Sequence, residues 1–319
     1  MMDASTRAAD WGARVINLSW GLDTRLSPNL VDRFYDDMVF HRFITVVKSA
    51  GNRGCQPTPP DGNVTTPGLA YNVITVGGFD DRGTEDRADD RMYDCSGLHD
   101  PLSRHGDRNK PELVAPAVEI DVVTSGPANI VRMSGTSLAA PLVAGAAALF
   151  IERQGLLAIW PEIHKALLMA TATHNIEGAR ARSDADGAGA LMANVGAQLL
   201  QDTRRWNGLR YTCSGSTPAT LVLATLPGSR RQRHRVAIAW STDPGDPTWP
   251  EQPSADIDLV VRDSGGRTVA SSLSFDNSYE VVEFDNLSAD TFTVEARRFR
   301  CDRDTWLGWA WHTQALARP

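Results

Sequence analysis

The chain reads as an α/β protein with a parallel-sheet core, followed by an all-β part of sandwich or jelly-roll type. Short apolar runs alternate with helix-spaced segments up to Asp202, the pattern of strands joined by helices. After Asp202 the segments become short and alternating, separated by Gly, Pro, Asp and Asn. A length of 319 residues suits about two domains of ordinary size, so domains are expected at 1–202 and 203–319.

Residues 1–11 read as the end of a helix. Residues 14–19 form an apolar run suited to a strand buried on both faces. Leu30, Phe34 and Met38 recur at helix spacing within 28–39. Residues 43–49 are the next strand, ending in a loop at 51–54, and Val73, Ile74 and Val76 mark a strand over 72–78. The charged stretch 79–109 predicts a surface loop anchored by Cys95. Short strands follow at 113–117 and 120–124, then a helix over 137–155 and another opening at Pro161, a favoured first-turn residue. Leu167, Leu168 and Met169 belong to its buried side, and 194–200 is a last helix. In the second part, strands are expected at 219–225, 235–240, 257–262, 267–272, 279–284, 291–297 and 307–312.

The composition, 42% hydrophobic and 22% charged, is that of a globular protein, and a net charge of −7 gives no reason to expect nucleic acid. No apolar run approaches the ~20 residues of a membrane span. Basic residues are almost all arginine, with lysine only at Lys48, Lys110 and Lys165, a bias read as compositional rather than functional. The four cysteines lack C-x-x-C spacing, which argues against zinc. Two fall in each expected domain, favouring Cys55–Cys95 and Cys213–Cys301 over the other two connectivities. Paired cysteines would imply an oxidising setting.

The segment 134–145 carries the chemistry. Ser137 follows a glycine turn and enters an apolar helical stretch, so unpaired N–H groups and the positive dipole end lie beneath its hydroxyl. An α/β-hydrolase elbow needs G-x-S-x-G, whereas Gly135-Thr136-Ser137-Leu138-Ala139 lacks the second glycine. A plain serine cap would not explain the segments that accompany it.

The pattern Gly135, Thr136, Ser137, Ala139, Pro141, Val143, Ala144, Gly145 resembles the nucleophile motif of the subtilisin-like serine proteases. Val15-Ile16-Asn17-Leu18-Ser19-Trp20-Gly21 resembles the family's cleft strand. Thr45-Val46-Val47-Lys48-Ser49-Ala50-Gly51-Asn52 resembles the strand and loop that carry the oxyanion asparagine. Residues 108–116 resemble the stretch ahead of the serine, with Glu112 for Asp, and 187–191 the stretch that closes the domain. The resemblance implies a three-layer subtilisin-like core, present here in part, and an endopeptidase acting through an acyl-enzyme on Ser137. Asn52 and the backbone N–H of Ser137 would receive the oxyanion; a turn role is the alternative for Asn52. Ser19, Trp20 and Gly21 would pair with an extended polypeptide substrate, although Trp20 also suits a core. Ser49, Ala50 and Gly51 would wall the primary specificity pocket. Family and cysteine pairing together imply a secreted protein.

The family's Asp and His motifs precede the cleft strand and are not found here. Asp23-Thr24-Arg25 follows that strand and lacks the turn glycine. None of the seven histidines, His105 included, opens a G-T-x-x-A-G helix. Losing the serine or histidine costs about a million-fold in subtilisin itself, so this chain alone is expected to be nearly inert. An N-terminal segment, upstream or in a separate chain, is expected to supply both groups. The rival reading is an inactive pseudoprotease or peptide-binding module. No cofactor is needed for the chemistry. Asp256, Asp258, Asp276, Asn277 and Asp285 offer oxygen atoms of the kind calcium takes, in a spacing that fits no EF-hand loop, which leaves a structural calcium open beside simple turn roles.

Overall fold

Strands apolar on both faces build the first sheet, because helices cover both sides of it. The structure is a computed structural model and describes all residues except 56–62, 99, 126–128, 174–175, 179, 216 and 317–319. Strands β1 (Val15–Leu18), β2 (Thr45–Ser49) and β3 (Ile74–Asp80) lie in that order and run parallel. Strand β4 (Arg91–Met92) pairs antiparallel with the end of β3, and β5 (Leu113–Pro116) pairs parallel with β3. Neighbouring residues on β2 point to opposite layers. Val46 joins Tyr35, Met38 and Val39 of α2 (Leu30–Arg42), and Val47 joins Ala139, Ala140 and Val143 of α3 (Thr136–Arg153). Helix α1 (Met2–Asp10) packs outside α2, where Ser5 Oγ and Tyr35 Oη are 2.9 Å apart.

An antiparallel hairpin, β6 (Ile120–Val123) and β7 (Ile130–Met133), leads from β5 to α3. Its outer strand was not expected, because Ile130–Met133 is exposed throughout and carries no inward-facing period. The stretch 79–109 is also more than surface loop: Ser96 and Arg108 are buried, and the Arg108 guanidinium lies 3.6 Å over the Tyr71 ring while donating to Leu69 O.

Two four-stranded antiparallel sheets make up the second part. One orders β13 (Tyr279–Asn286), β10 (Gln232–Trp240), β15 (Thr305–Ala315) and β8 (Trp206–Tyr211); the other orders β12 (Thr268–Ser272), β11 (Ala255–Asp263), β14 (Phe292–Cys301) and β9 (Thr220–Leu226). Their inner faces share one core that includes Val236, Ile238, Trp240, Ile257, Leu259 and Val294. All seven expected strands are present, and β8 is an eighth. Cys55–Cys95 and Cys213–Cys301 are disulfides.

Helix α4 (Pro161–Thr171) lies between the two parts and every one of its residues is buried. Ala237, Ala239, Val281 and Ala310, from the outer face of the β13–β8 sheet, join the same core as α3 and α4. Gly308 permits the close approach, since a Cβ there would stand 2.5 Å from the Glu162 carbonyl carbon. Helix α5 (Ala193–Leu199) rests on α3.

The three lysines correct the compositional reading: all are buried. Glu112 Oε1 accepts from Lys110 Nζ at 2.6 Å and Lys165 Nζ at 3.0 Å, while Oε2 accepts from Thr75 N at 2.8 Å. Lys110 also donates to Val73 O, and Lys165 to Tyr71 O. Burial would raise the Glu112 carboxyl, but the two ammonium groups outweigh it and hold it below the usual range. Glu112→Gln would leave two buried cations around a neutral amide, so it is expected to cost about 3–5 kcal/mol, read as a lowered urea midpoint at unchanged slope.

Candidate active site

The site is assembled where parallel strands end. Beyond β1 come Ser19, Trp20 and Gly21; beyond β2 come Ala50, Gly51 and Asn52; and the Gly135 turn opens α3. This is the carboxyl-terminal crevice where open α/β sheets place their sites.

Asn52 is held in one orientation. Its Oδ1 accepts from Thr136 N at 2.8 Å and from Thr136 Oγ1 at 3.0 Å. A backbone N–H can only donate, so the oxygen must face Thr136 and the amide nitrogen must face outward. Thr136 Oγ1 in turn accepts from Gly51 N at 3.1 Å, which joins the end of β2 to the start of α3. Gly135 has φ +153°, and a Cβ on it would stand 3.2 Å from Asn52 Nδ2. A side chain there would crowd the amide, so glycine keeps it open.

Among the described residues, neither Asn52 Nδ2 nor the backbone N–H of Ser137 has an acceptor. The latter is a first-turn donor of an 18-residue helix. Two free N–H donors and a helix N-terminus make a receptor for negative charge.

Ser137 faces the end of β1. Its Oγ donates to Ser19 O at 3.2 Å, and Ser19 Oγ donates to Ser137 O at 2.8 Å. The second bond has a cause in Pro141. Without an N–H, Pro141 leaves the carbonyl four residues earlier, that of Ser137, with no helical partner, and the Ser19 hydroxyl takes its place. Asn17 Nδ2 donates to Ser19 Oγ at 3.0 Å, so Asn17 aims that hydroxyl at Ser137. Asn17 and Thr136 both sit within the matched segments, yet only the folded geometry assigns them these partners.

The other expected residues are accounted for. Trp20 is partly buried against the α2 core, its ring 6.3 Å from that of Tyr35, so its side chain packs while its backbone lies at the cleft. Ser49 Oγ donates to Leu18 O at 3.4 Å, and Ala50 N to Val76 O at 2.7 Å. Gly21 and Gly51 both adjoin Thr65. Asp23 accepts from Arg25 N and pairs with Arg53 in a surface turn.

No described histidine bonds to Ser137. His41 meets Asp37, His105 meets Asp276, His164 meets Thr45 and His234 meets Thr313. His312 lines a cavity of about 550 Å³ beside the end of α4, and burial pushes its imidazole below the usual value. Burial pushes His164 down to about 3, so it is neutral. His99 and His174 lie outside the described residues. Asp276 accepts from the His105 ring and Asp285 pairs with Arg233. Among the described residues no group of three or more His, Cys, Asp or Glu side chains is arranged to hold a metal ion.

Comparison with known proteins places this geometry in context. Residues 1–195 match the Subtilase family, peptidase S8. The chain is 33% identical over 123 residues to "Serine protease AprX" of Bacillus subtilis (strain 168), covering 34% of this chain and 26% of that protein. It is 36% identical over 153 residues to "Thermophilic serine proteinase" of Bacillus sp. (strain AK1), covering 47% and 31%. It therefore spans between 26% and 31% of the length of these relatives. Among solved structures, the self-cleaved protease domain of PatA aligns with TM-score 0.47 and 25% identity, over 63% of this chain and 66% of that one. The prenylagaramide maturation protease PagA aligns with TM-score 0.49 and 24% identity, over 62% and 66%.

The Ser19–Pro141 relation is open to a double-mutant cycle. Ser19→Ala is expected to cost about 0.5–1.5 kcal/mol, the net worth of one hydrogen bond. In a Pro141→Ala background the restored N–H takes over the Ser137 carbonyl, so the same change should cost measurably less. Equal costs in both backgrounds, read from urea unfolding, would break the link.

Proposed function

The chain belongs to the subtilase family, and from that premise we propose that it is a serine-type endopeptidase in which Ser137 is the nucleophile and Asn52 the oxyanion donor. One observation carries the reading: the Asn52 amide is locked by Thr136, and among the described residues neither its nitrogen nor the N–H of Ser137 has an acceptor. In this proposal a polypeptide lies extended along Ser19, Trp20 and Gly21 as an added strand. Ser137 Oγ attacks its scissile carbonyl, and the carbonyl oxygen gathers negative charge between Asn52 Nδ2 and Ser137 N. The amine then leaves and an acyl-enzyme remains for water to cleave.

Attack requires the Ser137 proton to go to a base. In the described residues that proton rests on the Ser19 carbonyl, far too weak a base to take it. We propose that a further polypeptide segment supplies His and Asp, seated against the outer edge of β1 and the exposed Leu142 and Leu149 of α3. The two disulfides support an oxidising, extracellular setting for this activity. The same Ser137–Ser19 bond favours a second reading, a peptide-binding module without chemistry, in which the hydroxyl only fastens α3 to β1.

Labelling with a fluorophosphonate separates the readings. The chain alone should label negligibly, and about 50 mM imidazole, acting as a soluble general base, should accelerate labelling at Ser137. Ser137→Ala should abolish that labelling, and Asn52→Ala should slow it by about 10²–10³-fold. Rapid labelling without imidazole would place a base within the chain. Failure to label with it would leave the binding module.

A further inference from the structure

Gly21 and Gly51, the ends of the two segments assigned to substrate binding, stand over one side chain. A Cβ on Gly21 would collide with Thr65 Oγ1 and lie 3.1 Å from Lys48 Nζ; one on Gly51 would lie 2.9 Å from Thr65 Cγ2 and 3.0 Å from Thr65 Oγ1. Thr65 is therefore the floor between them, and the Lys48 ammonium is directly beneath. Thr65 is only 8% exposed and Lys48 fully buried.

The bonding of this floor is lopsided. Lys48 Nζ donates to Ser49 O, to Ser49 Oγ at 3.3 Å and to Thr65 Oγ1 at 3.1 Å, all neutral acceptors. Lys110 and Lys165, by contrast, share Glu112. The acid that acts on Lys48 from a distance is Asp32 of α2, whose Oδ2 already accepts from Asn29 N and Thr66 Oγ1. Burial pushes the Lys48 ammonium down to about 7, the behaviour of a cation lacking a close counter-charge. Thr65 Oγ1 accepts from Lys48 and points its own proton at Ala50 O, 3.2 Å away. A rotation of that hydroxyl would redirect the proton into the cleft with the ammonium behind it. The result is a charge-assisted donor facing whatever side chain enters between the glycines.

We propose that Lys48 is a specificity-determining residue: through the Thr65 hydroxyl it selects a short acidic side chain, aspartate, in the substrate residue that stands over Gly21 and Gly51. The carboxylate accepts from Thr65 Oγ1 and supplies the close counter-charge that Lys48 does not have among the described residues. Because Thr65 fills the floor, long or aromatic side chains are excluded. This inference rests on the cleft reading given above and adds a substrate class to it.

Binding to the full chain tests it without requiring turnover. Fluorescein-labelled, C-terminally amidated Ala-Ala-Ala-Asp should bind at least about tenfold more tightly than its Asn or Leu counterpart, the scale of discrimination by a placed polar group. Lys48→Met, which keeps the stem and removes the charge, should erase the Asp preference, and Thr65→Val should erase it with Lys48 intact. With three lysines in the chain, a lysine-labelled carbon spectrum is sparse enough to follow Lys48 directly. Its signal should move with the Asp peptide and stay with the Asn peptide. Binding of all peptides with equal affinity would overturn the proposal and leave the cleft reading standing. No binding of any peptide would overturn both.

Discussion

Glu112 is the point on which both parts of the molecule hang. Its carboxylate gathers Lys110 from its own segment, Lys165 from α4 and the backbone N–H of Thr75 from β3. Lys165 then reaches Tyr71 O, which also accepts from Ser278 Oγ at the start of β13. One carboxylate thus fixes the parallel sheet, the central helix and the antiparallel sheet relative to one another. Burying three ions is costly unless every donor and acceptor is used. Here Val73 O and Thr75 Oγ1 bring Lys110 to three hydrogen bonds, and Tyr71 O gives Lys165 a second. The arrangement tolerates little displacement, and that rigidity is passed to the strand ends that carry the site.

The site follows from how those ends meet α3. Thr136, fully buried, ties Gly51 to Asn52 and leaves the Asn52 nitrogen pointing outward. Pro141 removes one helical bond, and the Ser19 hydroxyl donates to the Ser137 carbonyl thus left open. Two local facts about α3, a buried threonine at its first position and a proline in its second turn, therefore set the relation between β1, β2 and Ser137. No long-range device is needed beyond the parallel register of β1 and β2.

What could be read from the residues was what is local. The glycine turn and Ser137, the strand runs and the alternation after Asp202 are patterns within a window of a dozen residues, and the structure has each of them. Lys48, Lys110 and Lys165 were illegible for the opposite reason. Lysine looks solvated until its buried partners are found, and some of those stand far off along the chain: the Val73 carbonyl is 37 residues from Lys110, and Glu112 is 53 from Lys165. Asn17 and Thr136 were hidden in the same way, since a short polar side chain next to a motif residue has many local uses. Strand β7 was missed because all four of its residues are exposed and burial gives it no period. Trp20 has its ring in the α2 core, the packing role that its residue type also suited.

The polar groups around Ser137 divide into a finished half and an open one. On the side proposed to receive the oxyanion, Gly51 N, Thr136 and Asn52 Oδ1 are each partnered, and among the described residues Asn52 Nδ2 and the Ser137 N–H have no acceptor. On the proton side the Ser137 hydroxyl points at a carbonyl, and its exposed flank is the β1 edge and the apolar side of α3. Prearranged donors lower the energy of a tetrahedral oxyanion without moving, so that half can be rigid. A general base must exchange a proton with solvent and leaving group, and its natural place is the flank that is open. In the proposed function Asn52 and Thr136 hold the geometry that the chemistry requires, whereas a surface that only bound peptide would need neither the locked amide nor an N–H left without an acceptor among the described residues.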